Sequence, residues 1–229
     1  VTRDSDHQSA SEAGDEVTPT SDALRHAPQQ ARSRRRVEQI LLAAEALVAQ
    51  GGLEALNTRS VADAARTSPA TLYQYFADRD AIIVALAERG IQQRDRQAFD
   101  DVVELLHGAE GGPERGRADL AEMISVSLRS CLRFYVDNPA FVRLYLHDRS
   151  SPALIAFVRE RNRALAVGMR EMAINAGVLP GSAPDMAADM IIGIGDYIFQ
   201  YVFETGTEPN LDAFEEGVRI IHAYMHLGS

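Results

Sequence analysis

The chain has 229 residues, 46% of them hydrophobic, enough to build a full globular core. Its single cysteine, Cys131, excludes an intrachain disulfide framework and any all-cysteine zinc site. The net charge of −10 excludes indiscriminate polyanion binding by the whole molecule. No apolar run approaches the roughly 18 residues that span a bilayer, so no membrane partner is expected. The acidic, polar N-terminus lacks the pattern of a secretion signal, and a cytoplasmic location is the expectation.

Charge is distributed unevenly. Residues 1–24 carry one arginine against six acids, residues 25–79 eight arginines against five acids, and residues 80–229 fourteen arginines against 22 acids. Only the middle segment is basic. All 23 basic residues are arginine, which reads first as a coding bias, because on an ordinary surface arginine for lysine changes little.

In chain order, residues 1–30 are polar, show no apolar period and are expected to form a disordered tail. A first helix is predicted from about Arg34 to Gln50, with Val37, Ile40, Leu41, Ala44, Leu47 and Val48 on one face and Gly51-Gly52 as its stop. Asn57 can cap a second helix that turns Val61 and Ala65 inward. Ser68-Pro69, a cap followed by a first-turn proline, opens a third. Asp78 opens a fourth that runs towards His107, and the glycine-rich segment 107–116 is a loop. The cap-then-proline signal recurs at Asn138-Pro139 and Ser151-Pro152, and Ser182 to Asp185 reads as a capping box. A last helix falls between about Asn210 and His226. The predicted fold is therefore all-α, with about nine helices and no internal repeat.

The second and third helices are separated by only two or three residues, "RTS", and are braced by a helix on each side. That is the layout of a helix-turn-helix. On the third helix Leu72 and Phe76 face inward, while Ala70, Thr71, Gln74 and Tyr75 face out, with Tyr73 between the two sets. Gln can pair with an adenine edge, Thr and Ala can pack on a thymine methyl, and tyrosine hydroxyls reach phosphate oxygens.

"ILLAAEALVAQGG", "NTRSVADAA" and "SPATLYQYFADRDAI" together resemble the DNA-binding domain of the TetR family of transcriptional regulators, over residues 34–86. The resemblance implies DNA contacts from Asn57, Thr58 and Arg59 at the second helix, and from Ser68, Pro69, Ala70, Thr71, Tyr73, Gln74 and Tyr75 at the recognition helix. Arg79 replaces the lysine common in the family at the start of the fourth helix, and a phosphate contact is expected to survive. Arg66 and Thr67 replace the family's usual Gly and Val. A non-glycine residue in a left-handed helix stop costs about 1 kcal/mol. Arg66 either carries that cost as a misfit or adds a phosphate contact, and the turn can also have another geometry. The run "RSRRR" (32–36), with Arg34, Arg35 and Arg36, is either a minor-groove arm or a solvated charge run.

The expected organisation is a tail (1–30), a helix-turn-helix domain (31–80) and a ligand-binding and dimerisation domain (81–229). Segment 186–203 is apolar nearly all round, and Gly193 and Gly195 would admit a neighbouring helix. With the last helix it fits a homodimer interface, as in the resembled family. Candidate pocket residues are Cys131, Phe134, Tyr135, Tyr145, Phe157, Met169, Met172 and Met190, each also readable as plain core. Asp185, Asp189, Asp196 and Gln200 form one polar stripe, either a solvated edge or, at Asp196, a carboxylate aimed into a cavity. His222 and His226 have a two-ligand metal spacing, but no third ligand is visible, so neither metal nor cofactor is expected.

The resulting expectation is a dimeric, ligand-responsive regulator. It would bind a palindromic double-stranded DNA operator, act as a repressor, and be released by a small apolar or amphipathic effector. An activator or a ligand-independent regulator of the same fold is the alternative. A helical enzyme or adaptor is more remote, since no phosphate loop, no His-Glu-x-x-His and no nucleophile with a base is present.

Overall fold

The computed structural model describes residues 21–108, 116–147, 151–175, 181 and 185–227, with side chains for a slightly smaller set. Residues 1–38 and 39–229 form two compact units. Nine α-helices are present among the described residues: α1 (Ser21–Gly51), α2 (Thr58–Ala64), α3 (Pro69–Tyr73), α4 (Arg79–Gly108), α5 (Gly116–Asp137), α6 (Pro139–Val142), α7 (Pro152–Asn175), α8 (Asp185–Val202) and α9 (Leu211–Leu227). A 3₁₀ turn (Leu53–Ala55) follows α1, and a π-helical segment (Arg143–His147) follows α6.

The first helix starts at Ser21, thirteen residues before the expected start, so residues 21–30 are helical rather than a tail. Ala, Leu, Gln and Arg in this stretch favour helix without forming an apolar seam, and period alone does not reveal it. Residues 1–20, and the expected Ser182 cap, lie outside the described residues. The run 32–36 lies within α1, not in an extended arm.

Predicted caps are present where the backbone amides demand them. The Asn57 side chain accepts from the Ser60 amide at 2.9 Å, Ser68 Oγ from Thr71 at 3.0 Å, and Asp78 from Ala81 at 2.8 Å. Ser151 and Asn210 do the same for α7 and α9. Asn138 does not cap α6: its amide donates to the Phe134 carbonyl at 2.8 Å, closing the end of α5 instead.

The helix-turn-helix core is built from Ile40, Ala44 and Val48 of α1, Val61 and Ala62 of α2, Leu72 and Phe76, and Ile82, Ile83 and Leu86 of α4. Ala62, rather than Ala65, is the second buried residue of α2. α4 is unbroken across residue 80. It starts in this core and continues along α5, so residues 39–229 hold together as one unit.

Beyond the helix-turn-helix, an aromatic cluster occupies the core. Tyr135, Phe141 and Tyr145 form a near-parallel ladder, with centroids 5.8 and 5.2 Å apart. Phe199 lies 4.9 Å from Tyr135, and Phe203 and Phe214 are fully buried. Gly90 lets α4 approach this ladder: a Cβ there would sit 2.3 Å from the Phe141 ring. α5 and α9 are braced by a bidentate Arg129–Glu215 pair at 2.6 and 3.0 Å, which depresses the Glu215 pKa.

Candidate functional site

The α2–α3 turn closes by backbone bonds. The Arg66 amide donates to the Asp63 carbonyl at 3.1 Å and Thr67 to Ala62 at 2.9 Å, the paired bonds of a Schellman stop. This geometry requires a left-handed residue at position 66, and Arg66 supplies it with φ 52°. It is the only non-glycine residue with positive φ among the described residues. Its side chain is exposed.

From that stop α3 emerges short and constrained, with Pro69 in its first turn and Leu72 fully buried beneath it. Ser68, Pro69, Ala70 and Gln74 are exposed, and Thr71 and Tyr75 are half-buried. Tyr73 is the more exposed tyrosine, at 52%, and its hydroxyl lies 3.1 Å from Thr58 Oγ, tying α3 to the start of α2. Asn57 and Arg59 are exposed beside it. The predicted contact residues around the turn therefore lie at the surface or half-buried.

Arg79, expected at a DNA phosphate, also bonds within the chain. Its Nε donates to the Leu56 carbonyl and its Nη2 to the Leu53 carbonyl, both at 2.7 Å. These bonds fasten the 3₁₀ turn to the start of α4. The remaining Nη1 lies 3.8 Å from Asp80. The sequence keeps a charge here, and the carbonyls that accept from it belong to a turn seen only in three dimensions.

A second cluster lies in the body, where α4, α5, the π segment, α7 and α8 meet. Arg94 is buried; its Nη1 donates to the Tyr135 hydroxyl at 2.8 Å, and its Nε and Nη2 donate to Asp95 at 3.1 and 2.9 Å. Asp95 also accepts from Arg161, and Asp196 accepts from Asn162. The Tyr145 hydroxyl is buried, with no hydrogen-bond partner among the described residues. Arg94 lies over its ring at 5.6 Å and favours its ionised form. Burial raises the pKa of Tyr145, with Asp196 adding to the rise, and burial likewise raises Tyr135 and Cys131. Burial opposes the charge of Arg94, but the ionisable groups around it, Tyr135 foremost, outweigh that and hold its pKa well above the ordinary value.

Of the pocket candidates, Cys131, Tyr135, Tyr145 and Asp196 gather here. Phe134 instead lines a cleft with Glu45, Arg89 and Phe141. Phe157 is half-buried, Met169 and Met190 are surface residues, and the Met172 side chain lies outside the described set. Both methionines lie on faces of α7 and α8 that are exposed among the described residues. Of the polar stripe, Asp189 is exposed, Asp196 and Gln200 are half-buried, and the Asp185 side chain lies outside the described set. His222 bonds to Ser125, and the His226 side chain lies outside the described set. Among the described residues no group of three His, Cys, Asp or Glu side chains could hold a metal, and no helix is long and apolar enough to cross a membrane.

Arg94, Asp95, Arg161 and Asn162 were not anticipated. A signal existed for Arg94: it falls on the seam Ile83, Ala87, Ile91, Ala98, where an arginine must find partners.

A capped, proline-started third helix with an exposed polar face, held by a Schellman stop against its supporting helix, has the layout of a helix-turn-helix. Residues 40–86 match the family described as bacterial regulatory proteins, tetR family. An uncharacterized HTH-type transcriptional regulator of Mycobacterium tuberculosis (strain H37Rv) is 30% identical over 112 residues, which is 49% of this chain and 50% of that protein. The chain thus matches about half the length of this curated relative. Over the whole fold, a TetR-family transcriptional regulator from Syntrophomonas wolfei superposes with a TM-score of 0.60 at 18% identity, covering 85% of this chain and 94% of that one. RolR in complex with resorcinol superposes with a TM-score of 0.54 at 16% identity, covering 86% and 88%. Residues 40–86 thus match the TetR family of transcriptional regulators, and the chain as a whole shares the fold of solved TetR-family structures.

Proposed function

We propose that the chain acts as a homodimer that binds a palindromic operator and represses transcription until a small effector enters the body and releases the DNA. The functional division is a reader over residues 31–80 and an effector-binding and dimerising body over residues 81–229. The observation that carries the DNA-binding half is the recognition helix, with Leu72 and Phe76 anchoring it and Ala70, Thr71, Tyr73 and Gln74 on its outer side. Gln74 and Thr71 are assigned to base edges. Tyr73, Tyr75, Thr58 and Arg59 are assigned to the phosphate backbone, with Arg66 and the run Arg34–Arg36 as supplementary charges.

Dimerisation is supported by the outward stripe of α8. Met186, Met190, Tyr197 and Tyr201 are each more than half exposed, and a Cβ at Gly193 or Gly195 would meet nothing within 4 Å among the described residues. Leu211, Ile220 and Tyr224 add exposed apolar surface on α9. A two-fold dimer would set its recognition helices about 34 Å apart, one DNA turn.

Release needs an element shared by body and reader, and α4 is that element. It leaves the reader core at Ile82 and Ile83 and carries Arg94 into the body, roughly 18 Å further at 1.5 Å per residue. A ligand that prefers one position of α4 would shift the population towards it. The resorcinol complex of a structural neighbour supports a small-molecule site in this fold.

The test is selection of DNA from a random pool by the purified protein, followed by binding titrations with Gln74→Ala and Tyr75→Ala. Unchanged specific affinity in both variants removes the recognition-helix assignment. Truncation before Arg36 should weaken binding on all sequences alike and make the salt slope shallower.

A further inference from the structure

We infer that the centre around Arg94 and Tyr145 binds the polar end of an uncharged, oxygen-bearing ring compound, an inference that rests on the effector reading above and gives that effector a chemical class. The first observation is the Tyr145 hydroxyl, buried and without a hydrogen-bond partner among the described residues. Buried hydroxyls are nearly always paired, because an unpaired one keeps its full desolvation cost, and an exception calls for a missing partner. The second is Arg94. Its three hydrogen bonds leave an excess of two guanidinium N–H groups that bond nothing among the described residues. A ligand carbonyl or hydroxyl oxygen meets that excess.

Charge balance narrows the class. Arg94 and Arg161 face Asp95 and Asp196, two charges of each sign, already bonded among themselves and to Asn162. A carboxylate ligand would leave an unmatched negative charge out of water, and an ammonium would be set against two guanidinium groups. A neutral oxygen disturbs neither. Side-chain exposure rises from 8% at Arg94 through 17% at Arg161 to 43% at Asp95, so the cluster runs from the core to the surface. The surroundings are aromatic, with Tyr135, Phe141, Tyr145 and Phe199 in mutual contact, which favours a flat apolar remainder.

The experiment uses the full chain and four probes that share one ring: phenol, acetophenone, benzoate and benzylamine. The readout is iodoacetamide labelling of Cys131, the only cysteine, which lies in this centre, together with calorimetric titration. Phenol or acetophenone should slow labelling saturably, and benzoate and benzylamine should not. Tyr145→Phe should weaken that binding by about tenfold or more and yet melt no lower than wild type, because the hydroxyl removed has no partner to lose. Preference for a charged probe, absence of protection by all four, equal binding by Tyr145→Phe, or a lower melting temperature for that variant would each overturn the inference. DNA binding, measured separately, keeps the two readings apart. Cys131 protection without DNA binding removes the regulator reading alone, and DNA binding without protection removes this one alone.

Discussion

Replacing Arg66 with glycine should stabilise the protein. The residue sits at φ 52°, where a Cβ crowds the backbone at a cost of about 1–2 kcal/mol, and glycine removes that cost. Glycine also frees the unfolded chain, which returns about 0.4–1 kcal/mol. The net gain is therefore about 0.5–1 kcal/mol. The stop is held by backbone bonds from Arg66 and Thr67, which the substitution leaves in place, and the exposed side chain gives up no core packing. For a chain of this length, 1 kcal/mol corresponds to about 2–4 °C in melting temperature. Thermal melts followed by circular dichroism, at matched protein concentration, should place Arg66→Gly about 1–4 °C above wild type. Arg66→Ala, which keeps the Cβ, should stay near wild type. A glycine variant that melts at or below the alanine variant refutes the reasoning. DNA titration then separates the two readings of this side chain: a phosphate contact predicts that both variants lose affinity equally and that the salt slope falls by about 1.

Gly90→Ala should destabilise by about 1–2 kcal/mol. The new methyl meets the Phe141 ring, which is stacked on Tyr135 and Tyr145 and has no room to yield; this outweighs the roughly 1 kcal/mol of helix propensity gained, and a urea melt checks it. Tyr197→Arg, on the exposed stripe of α8, should shift the sedimentation of a dimer to that of a monomer with little change in helix content. A variant that remains dimeric places the interface elsewhere. Stability should fall as pH rises past about 9, towards the tyrosine range near 10. Cys131, Tyr135 and Tyr145 have raised pKa values when folded, so in this window the unfolded chain loses protons that the folded one keeps, and unfolding is favoured. Tyr145→Phe should make the decline shallower, as measured by urea midpoints at pH 8 and 10.5.

The reader was legible in the sequence because its determinants are local. Asn57, Ser68-Pro69 and Asp78 cap helices within three residues of themselves, and Leu72 and Phe76 share a face by helical spacing alone. The strain at position 66 was also readable, since the amide pattern of a helix stop asks for glycine and the chain offers Arg66. What escaped was set by partners distant in sequence. Arg79 is taken by carbonyls 23 and 26 residues away, and Arg94 by a tyrosine 41 residues away. In "IQQRDRQ" a buried arginine is flanked by polar residues that are solvated, and only the seam of α4 separates them. The early start of α1 was missed for a different reason: helix propensity without an apolar face leaves no period to read.

The π-helical segment behind α6 has a consequence for how substitutions there should be interpreted. Within five residues, Arg143 donates to the Ala49 carbonyl at the end of α1 at 2.5 Å, Tyr145 enters the polar centre, and His147 pairs with the Phe203 carbonyl at the end of α8 at 2.7 Å. Three remote parts of the chain thus share one short backbone, and no residue of it can move without pulling on the other two. Energies measured for Arg143, Tyr145 and His147 one at a time will therefore not sum to the energy of changing them together. The excess in a triple-mutant cube, with and without DNA, measures the coupling between the reader and the body directly.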